Sequence, residues 1–279
     1  MKKEYHYFFN IKHDKYEKIL EFLNSNNIKY SLISDCISLK IYEDNLHFTQ
    51  ISELFNHKSV SLQIRCEYSK KELSEAKFLR VWLRRYSGYP QPEAIDIKNS
   101  YINYTFDITN FCTKCGSGLV QNDSFYLKKS FNIDKIRFGG VYWEYDTFFI
   151  TTELRDLFAK EKFTGIEFVP VKNIKTKQII DNIVQLKIND IFPQKLKYDT
   201  KKVIKCKFCN TIKYLRKDDS ETYASKEILK DLDKDFYLSP ESHGDGLLCC
   251  KDVFISNRVY KFFIDNKIKN ICVEPVRFE

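Results

Sequence analysis

Two pairs of cysteines constrain this chain more than any other feature. FCTKCGSG at 111–118 and KCKFCN at 205–210 each hold cysteines separated by two residues, and equivalent cysteines of the two pairs lie 94 positions apart. A C-x-x-C turn brings two sulfurs together, so two such turns can supply the four ligands of one metal site. The alternatives are two separate redox pairs or four unrelated buried thiols.

An internal repeat gives the two pairs equivalent positions. The segment 148–171 aligns without a gap on 253–276, at an offset of 105 residues. Each copy predicts a short strand, an N-cap hydroxyl (Thr151 or Ser256), a helix with apolar residues at i, i+3 and i+4, and a second strand. One C-x-x-C pair precedes each copy, and two related half-units most simply meet at a single site.

Four turn positions carry residues that tolerate a positive φ. Gly116 directly follows the first cysteine pair, and Asn210 stands at the matching place after the second. Gly165 and Asn270 occupy equivalent places after the two repeated helices, where each is expected to let the chain turn into the next strand.

These patterns predict one structural zinc ion. Its ligands are Cys112, Cys115, Cys206 and Cys209. Four thiolates close a tetrahedral zinc site and leave no position for water or substrate. A thioredoxin-like pair follows a strand at the start of a helix, and KCKFCNTIKYLRK does not resemble that arrangement.

The other cysteines have separate interpretations. Cys36, Cys66 and Cys272 fall on predicted strands and are expected to be small buried apolar side chains. Adjacent cysteines on a strand point to opposite faces, which makes joint ligation by Cys249 and Cys250 awkward. The sequence leaves open whether these two cysteines and nearby His243 have any role in metal binding.

The chain predicts an α+β fold in two domains. Residues 1–95 show the order β-α-β-α-β-α, an N-terminal α/β module, and SGYPQPEAID at 87–96 is the predicted boundary. Residues 96–279 are predicted to form a duplicated β-α-β zinc-binding domain, with half-units at 96–190 and 191–279.

Composition and motifs exclude several classes of protein. No apolar run approaches the roughly 20 residues of a membrane span, and MKKEYHYFFNIKHDKYEK does not resemble a signal peptide. A cytoplasmic location is therefore expected, where the nine cysteines favour metal ligands over disulfides. The chain has no G-x-S-x-G, H-E-x-x-H or glycine-rich phosphate loop, so no catalytic residue and no enzymatic activity are predicted.

The motifs together resemble the double-CxxCG motif family of bacterial proteins. The resemblance covers about 68–279 and is carried by the paired C-x-x-C turns, by T-x-x-L-x-x-x-F … G-I-E-F-x-P-V, and by YSKKELSEAKFLRVWLRR at 68–85. Members of that family are associated with immunity to polymorphic toxins delivered between competing bacteria. The resemblance implies a zinc-stabilised immunity protein that neutralises a cognate toxin by occlusion. Asn210 departs from the family pattern, which has glycine there.

A zinc-ribbon-like protein that binds nucleic acid is the alternative. The net charge of +8 is modest and comes with no run of five like charges, so alone it favours a merely lysine-rich protein. Basic residues do lie near both pairs, in LKKSFNIDKIRF and KCKFCNTIKYLRK. The identity of the partner, the contact surface and the oligomeric state do not follow from the sequence.

Overall fold

The chain forms two compact units in the computed structural model, Met1–Glu72 and Leu73–Glu279. The structure describes residues 1–12, 16–56, 60–128, 131, 133 and 136–279. The division lies earlier than the boundary predicted at 87–96, and the sheets of the second unit show why.

The first unit contains one four-stranded sheet. Its strands are β1 (Lys2–Asn10), β2 (Tyr30–Ile33), β3 (Cys36–Tyr42) and β4 (Val60–Glu67), and its helices are α1 (Tyr16–Ser25), α2 (Phe48–Leu54) and α3 (Lys70–Glu75), of which α3 crosses the division. The strand order is β2-β3-β1-β4, and every pair is antiparallel. An antiparallel sheet makes this unit α+β, whereas the sequence predicted an α/β module.

The second unit is built mainly from short strands. The strands and helices of its first half are β5 (Phe78–Leu83), α4 (Tyr101–Thr105), β6 (Phe106–Asp107), β7 (Val120–Gln121), β8 (Tyr126–Leu127), β9 (Phe138–Gly139), β10 (Phe148–Thr151), α5 (Thr152–Glu161), β11 (Ile166–Asn173) and β12 (Ile179–Ile188). They continue with β13 (Thr200–Lys205), β14 (Ile212–Arg216), β15 (Thr222–Ala224), β16 (Phe236–Leu238), β17 (Ser242–His243), β18 (Val253–Ser256), α6 (Asn257–Asp265) and β19 (Ile271–Phe278).

Two five-stranded sheets in this unit share one topology. The first has the order β8-β11-β12-β10-β9 and the second β15-β19-β5-β18-β16. In each sheet the central strand is antiparallel to both neighbours, and the first strand of the order runs parallel to the second. The repeated segments therefore occupy equivalent places, as β10-α5-β11 and β18-α6-β19.

The central strand of each sheet comes from a different part of the chain. In the first sheet it is β12, which follows β11 directly, whereas the second sheet takes β5, which precedes all its other strands by more than a hundred residues. Residues 78–83 thus belong with the second unit, although the sequence placed them in the N-terminal module. The predicted half-unit 191–279 lacks the strand at the centre of its own sheet.

Both repeated helices begin as predicted. The hydroxyl of Thr151 accepts from the backbone N–H of Leu154, and the hydroxyl of Ser256 accepts from that of Val259. The prediction for the turns after them is half right. Gly165 has φ +84°, but Asn270 does not have a positive φ.

The side chain of Asn270 makes a tertiary contact instead. It is buried, its carbonyl oxygen accepts from the backbone N–H of Arg85, and its amide donates to the carbonyl of Arg85. The left-handed residues that end the helices are Lys162 and Lys267, which the repeat also aligns.

An aromatic core joins the two sheets. Phe158 of α5 lies against Phe262 of α6, with ring centroids 5.2 Å apart, and Phe138 of β9 lies 5.1 Å from Phe263. The strand residues that share this core include Val81, Ile150, Leu186 and Ile255. Edge-to-face aromatic contacts of this kind add to the stabilisation from burial alone.

Candidate metal centre

Both cysteine pairs lie at the tips of hairpins. β6 and β7 are antiparallel neighbours, and the first pair lies in the loop between them. β13 and β14 form the second hairpin, with Cys206 and Cys209 in its connecting turn. In both hairpins the paired strands hold the two ends of the cysteine-bearing segment together.

The two tips bring all four predicted ligands together. Cys112 Sγ lies 3.8 Å from Cys206 Sγ, and Cys115 Sγ lies 3.4 Å from Cys209 Sγ. All four sulfurs lie within 4.8 Å of one another. A tetrahedron with metal–sulfur bonds of about 2.3 Å has edges of about 3.8 Å, so the spacing fits a single ion held by thiolates from both pairs.

The two turns have the same hydrogen bonds at the same offset. The backbone N–H of Gly116 donates to the carbonyl of Cys112 at 2.8 Å, and that of Asn210 donates to Cys206 at 3.0 Å. Gly116 has φ +80° and Asn210 has φ +62°, which confirms the prediction of positive φ at both positions. Asparagine can take this position because its short polar side chain tolerates the left-handed conformation.

Glycine is required only in the first turn. A Cβ at Gly116 would lie 1.9 Å from the carbonyl oxygen of Leu247. The loop that contains Leu247 therefore packs directly on the first turn, which leaves no space there for a side chain.

Two hydroxyl groups lie beside the sulfurs. Ser117 Oγ is 3.1 Å from Cys115 Sγ and 3.4 Å from Cys209 Sγ, and Thr211 Oγ1 is 3.2 Å from Cys209 Sγ. Hydrogen bonding with Ser117 and Thr211 lowers the pKa of Cys209 to about 5, whereas burial raises the pKa of Cys115 to about 11. Backbone hydrogen bonds also lower the pKa of Cys206. Cys209 is therefore more easily ionised than Cys115.

Lys213 ties the first turn to the loop that packs on it. The side chain is fully buried in β14, and Nζ donates to the carbonyls of Cys115, Gly246 and Leu248 at 2.7–2.8 Å. Three backbone acceptors are thus satisfied by one ammonium group. Sequence inspection gave no signal for this role, because Lys213 is one of many lysines in a basic segment.

The other possible metal ligands, His243, Cys249 and Cys250, do not come together at one site. Within the described part of the chain, the four-cysteine cluster is the only set of three or more metal-ligating side chains with their donor atoms together. His243 and Cys250 face each other across a backbone bridge, and His243 Nε2 lies 3.3 Å from Asp252 Oδ2. His243 and Asp252 belong to a different, ionic cluster.

That ionic cluster was not predicted. Arg80 Nε lies 2.8 Å from Asp252 Oδ1, and Arg216 bridges Asp252 and Glu274 with both contacts at 3.1 Å. Burial opposes ionisation of Asp252, but Arg80, His243 and Arg216 hold its pKa at about 2. The cluster joins β14 of the second hairpin to β5 and β19, so it holds that hairpin against the second five-stranded sheet. No sequence pattern indicates it, because its members are distant along the chain.

A scan against protein-family models and a search of curated proteins found no match to this chain. In the described residues, no helix is both long and apolar enough to span a bilayer.

Proposed function

We propose that the four-cysteine cluster holds one structural zinc ion. Four soft thiolates are a ligand set that zinc accepts in closed tetrahedral sites. All four corners of such a site are protein sulfurs here, so no position is left for water or substrate. The expected role is to fix the two hairpin tips together.

We also infer that the second unit arose by duplication, with the zinc ion at the seam between the halves. The shared order and orientation of the two five-stranded sheets supports this inference. So does the place of each cysteine hairpin, which precedes the equivalent strands of its half.

On this basis we propose that the protein binds another protein through the metal-bearing end. The observation that carries the proposal is Phe208, which lies between the cysteines of the second pair and is 73% exposed. Two further apolar residues are exposed: Leu247, in the loop that packs on the first cysteine turn, and Ile212, three residues after Cys209. Aromatic side chains, phenylalanine among them, are enriched in the cores of protein–protein interfaces.

Lysines accompany this aromatic side chain. Lys114 Nζ lies 5.7 Å from the centre of the Phe208 ring, and Lys207 is its neighbour in the turn. A cationic surface around an apolar anchor suits a partner with an acidic face, because complementary charge speeds association and fixes orientation.

The motif resemblance suggests which partner this is. We propose an immunity protein, acting in the cytoplasm, that neutralises a cognate bacterial toxin by covering a part of it that must remain free. The role of the zinc is then indirect, because it holds the shape of the surface that binds the toxin.

The test is co-expression with the product of the neighbouring gene, followed by purification of the complex. We expect the two proteins to purify together, and Phe208→Ala to weaken binding at least about tenfold. Ile264→Ala is the matched control, because Ile264 is an exposed apolar residue on α6. A Phe208→Ala variant that binds as tightly as the wild type contradicts the proposed surface, as does a complex that Ile264→Ala weakens equally.

Nucleic-acid binding is the second candidate, since an exposed aromatic ring with adjacent lysines also suits base stacking. The dependence of affinity on salt concentration distinguishes nucleic-acid binding from protein binding. Affinity for a nucleic acid falls steeply with salt, by orders of magnitude between about 50 and 200 mM. A protein complex anchored by Phe208 is expected to survive that change.

A further inference from the structure

A cavity of about 630 Å³ lies beside the metal centre in the second unit. The first cysteine turn borders it through residues 116–119, and α4 and the segments 143–147 and 247–251 form other walls. Its size falls within the roughly 300–1,000 Å³ typical of sites for small ligands. The proposed zinc role and the proposed partner do not use this cavity.

Aromatic side chains form one wall of the cavity. They include Tyr101, Phe106, Phe111 and Trp143. The rings of Tyr101 and Trp143 are stacked, with centroids 6.0 Å apart and planes 22° from parallel. Trp143 holds this place with φ +78°, a conformation rarely adopted by so large a residue.

Two carboxyl groups line the same cavity. The Tyr101 hydroxyl donates to Glu144 Oε1 at 2.7 Å, and the backbone N–H of Lys251 donates to Asp146 Oδ2 at 2.8 Å. No described residue forms an ion pair with either carboxyl. Carboxylates that are partly removed from water are normally paired with a cation. Glu144 and Asp146 are half-buried, and among the described residues neither has that partner.

Among the described residues, Lys251 is the one cation that lines the cavity, and its ammonium group is bound by other acceptors. Lys251 Nζ donates to the carbonyls of Ser239 and Pro240 at 2.8 and 3.1 Å. Burial raises the pKa of Asp146, which the charge of Lys251 offsets only in part, and Glu144 has no cation to offset the effect of burial. Burial and the neighbouring Asp146 raise the pKa of Glu144 to about 8, as expected for a carboxyl group that has no cationic partner.

We infer that this cavity binds an organic cation, an ammonium or guanidinium group carried on an apolar stem. The aromatic wall receives the apolar stem and attracts the cation through its ring faces. Glu144 releases its proton to solvent as the cation binds and then supplies the opposite charge. Asp146 adds to the negative field at the same end. The group can belong to a free small molecule or to a lysine or arginine side chain of a partner protein.

The test uses benzamidinium as a probe and neutral benzamide, which has nearly the same shape, as its control. Calorimetry on the full zinc-loaded chain is expected to show binding of benzamidinium and binding of benzamide at least about tenfold weaker. Trp143 reports the same event by fluorescence in a Trp82→Phe background, because the chain has two tryptophans. Equal affinity for the two probes, or no binding of either, overturns the inference.

Two variants test whether the carboxylate of Glu144 recognises the cation. Glu144→Gln keeps an acceptor for the Tyr101 hydroxyl and should weaken benzamidinium binding about tenfold. Zinc content should not change, and the unfolding temperature should not fall, because the substitution removes a carboxyl whose pKa is raised in the folded protein. Glu153→Gln, at an exposed position of α5, is the matched control and should bind as the wild type does. If Glu144→Gln binds benzamidinium unchanged, Glu144 is not the recognition group and the inference fails.

Peptides distinguish the two sources of the cation. A glycine–serine peptide with one central arginine is compared with free arginine amide. Tighter binding of the peptide identifies a protein side chain as the ligand, and equal or weaker binding identifies a small molecule.

Discussion

At the scale of single residues, the two cysteine turns show what local sequence can and cannot predict. The positive φ at Gly116 and Asn210 follows from residue type and spacing, and both are observed. The contact of Gly116 with the carbonyl of Leu247 could not be predicted, since Leu247 lies far along the chain and no motif marks it. The same limit applies to Lys213 and to Asn270, whose side chains serve tertiary contacts.

Substitution of the two turn residues should have unequal effects. Gly116→Ala adds a Cβ where only 1.9 Å is available and imposes a strained φ, so we expect a loss of at least about 3 kcal/mol in the free energy of unfolding. Asn210→Ala meets only the conformational cost of about 1 kcal/mol. Asn210→Gly should be neutral or slightly stabilising. Urea denaturation of the zinc-loaded proteins measures all three, and equal losses in the two alanine variants would refute the argument.

At the scale of elements, the repeat predicted strand–helix–strand units with the correct N-caps. It did not predict the central strands. Residues 183–188 of β12 do lie 105 residues from β5, but β5 is the earlier of the two and joins the later sheet, so neither strand falls inside the repeated segments. The domain boundary was misplaced for the same reason. A strand of six residues is apolar and alternating wherever it pairs, so its sequence does not identify its sheet.

Lys213 gives a prediction at this scale, because it connects β14 to the first cysteine turn and the loop on it. Lys213→Met keeps most of the side-chain volume but leaves three buried carbonyls without their donor. We expect a loss of about 3 kcal/mol or more in the free energy of unfolding. Lys202→Met, at an exposed position of β13, is the control and should change it by less than about 0.5 kcal/mol. Denaturant titration decides, and similar values for the two variants would contradict the structural role of Lys213.

At the scale of the whole second unit, two hairpins distant in the chain meet at four sulfurs. Each hairpin extends from a different half of the unit, so a metal ion there closes the structure across a long stretch of chain. The surface around Phe208 and the wall of the cavity at residues 116–119 both depend on these tips. Loss of the metal should therefore disturb binding as well as stability.

The most direct test is the number of zinc ions per chain, measured by elemental analysis of the purified protein and of two serine variants. We predict one zinc per chain in the wild type, its loss together with a lower unfolding temperature in Cys206→Ser, and one zinc in Cys272→Ser, since Cys272 lies on β19 outside the cluster. A wild-type protein without metal, or a Cys206→Ser variant with unchanged zinc content and stability, would contradict the single shared site.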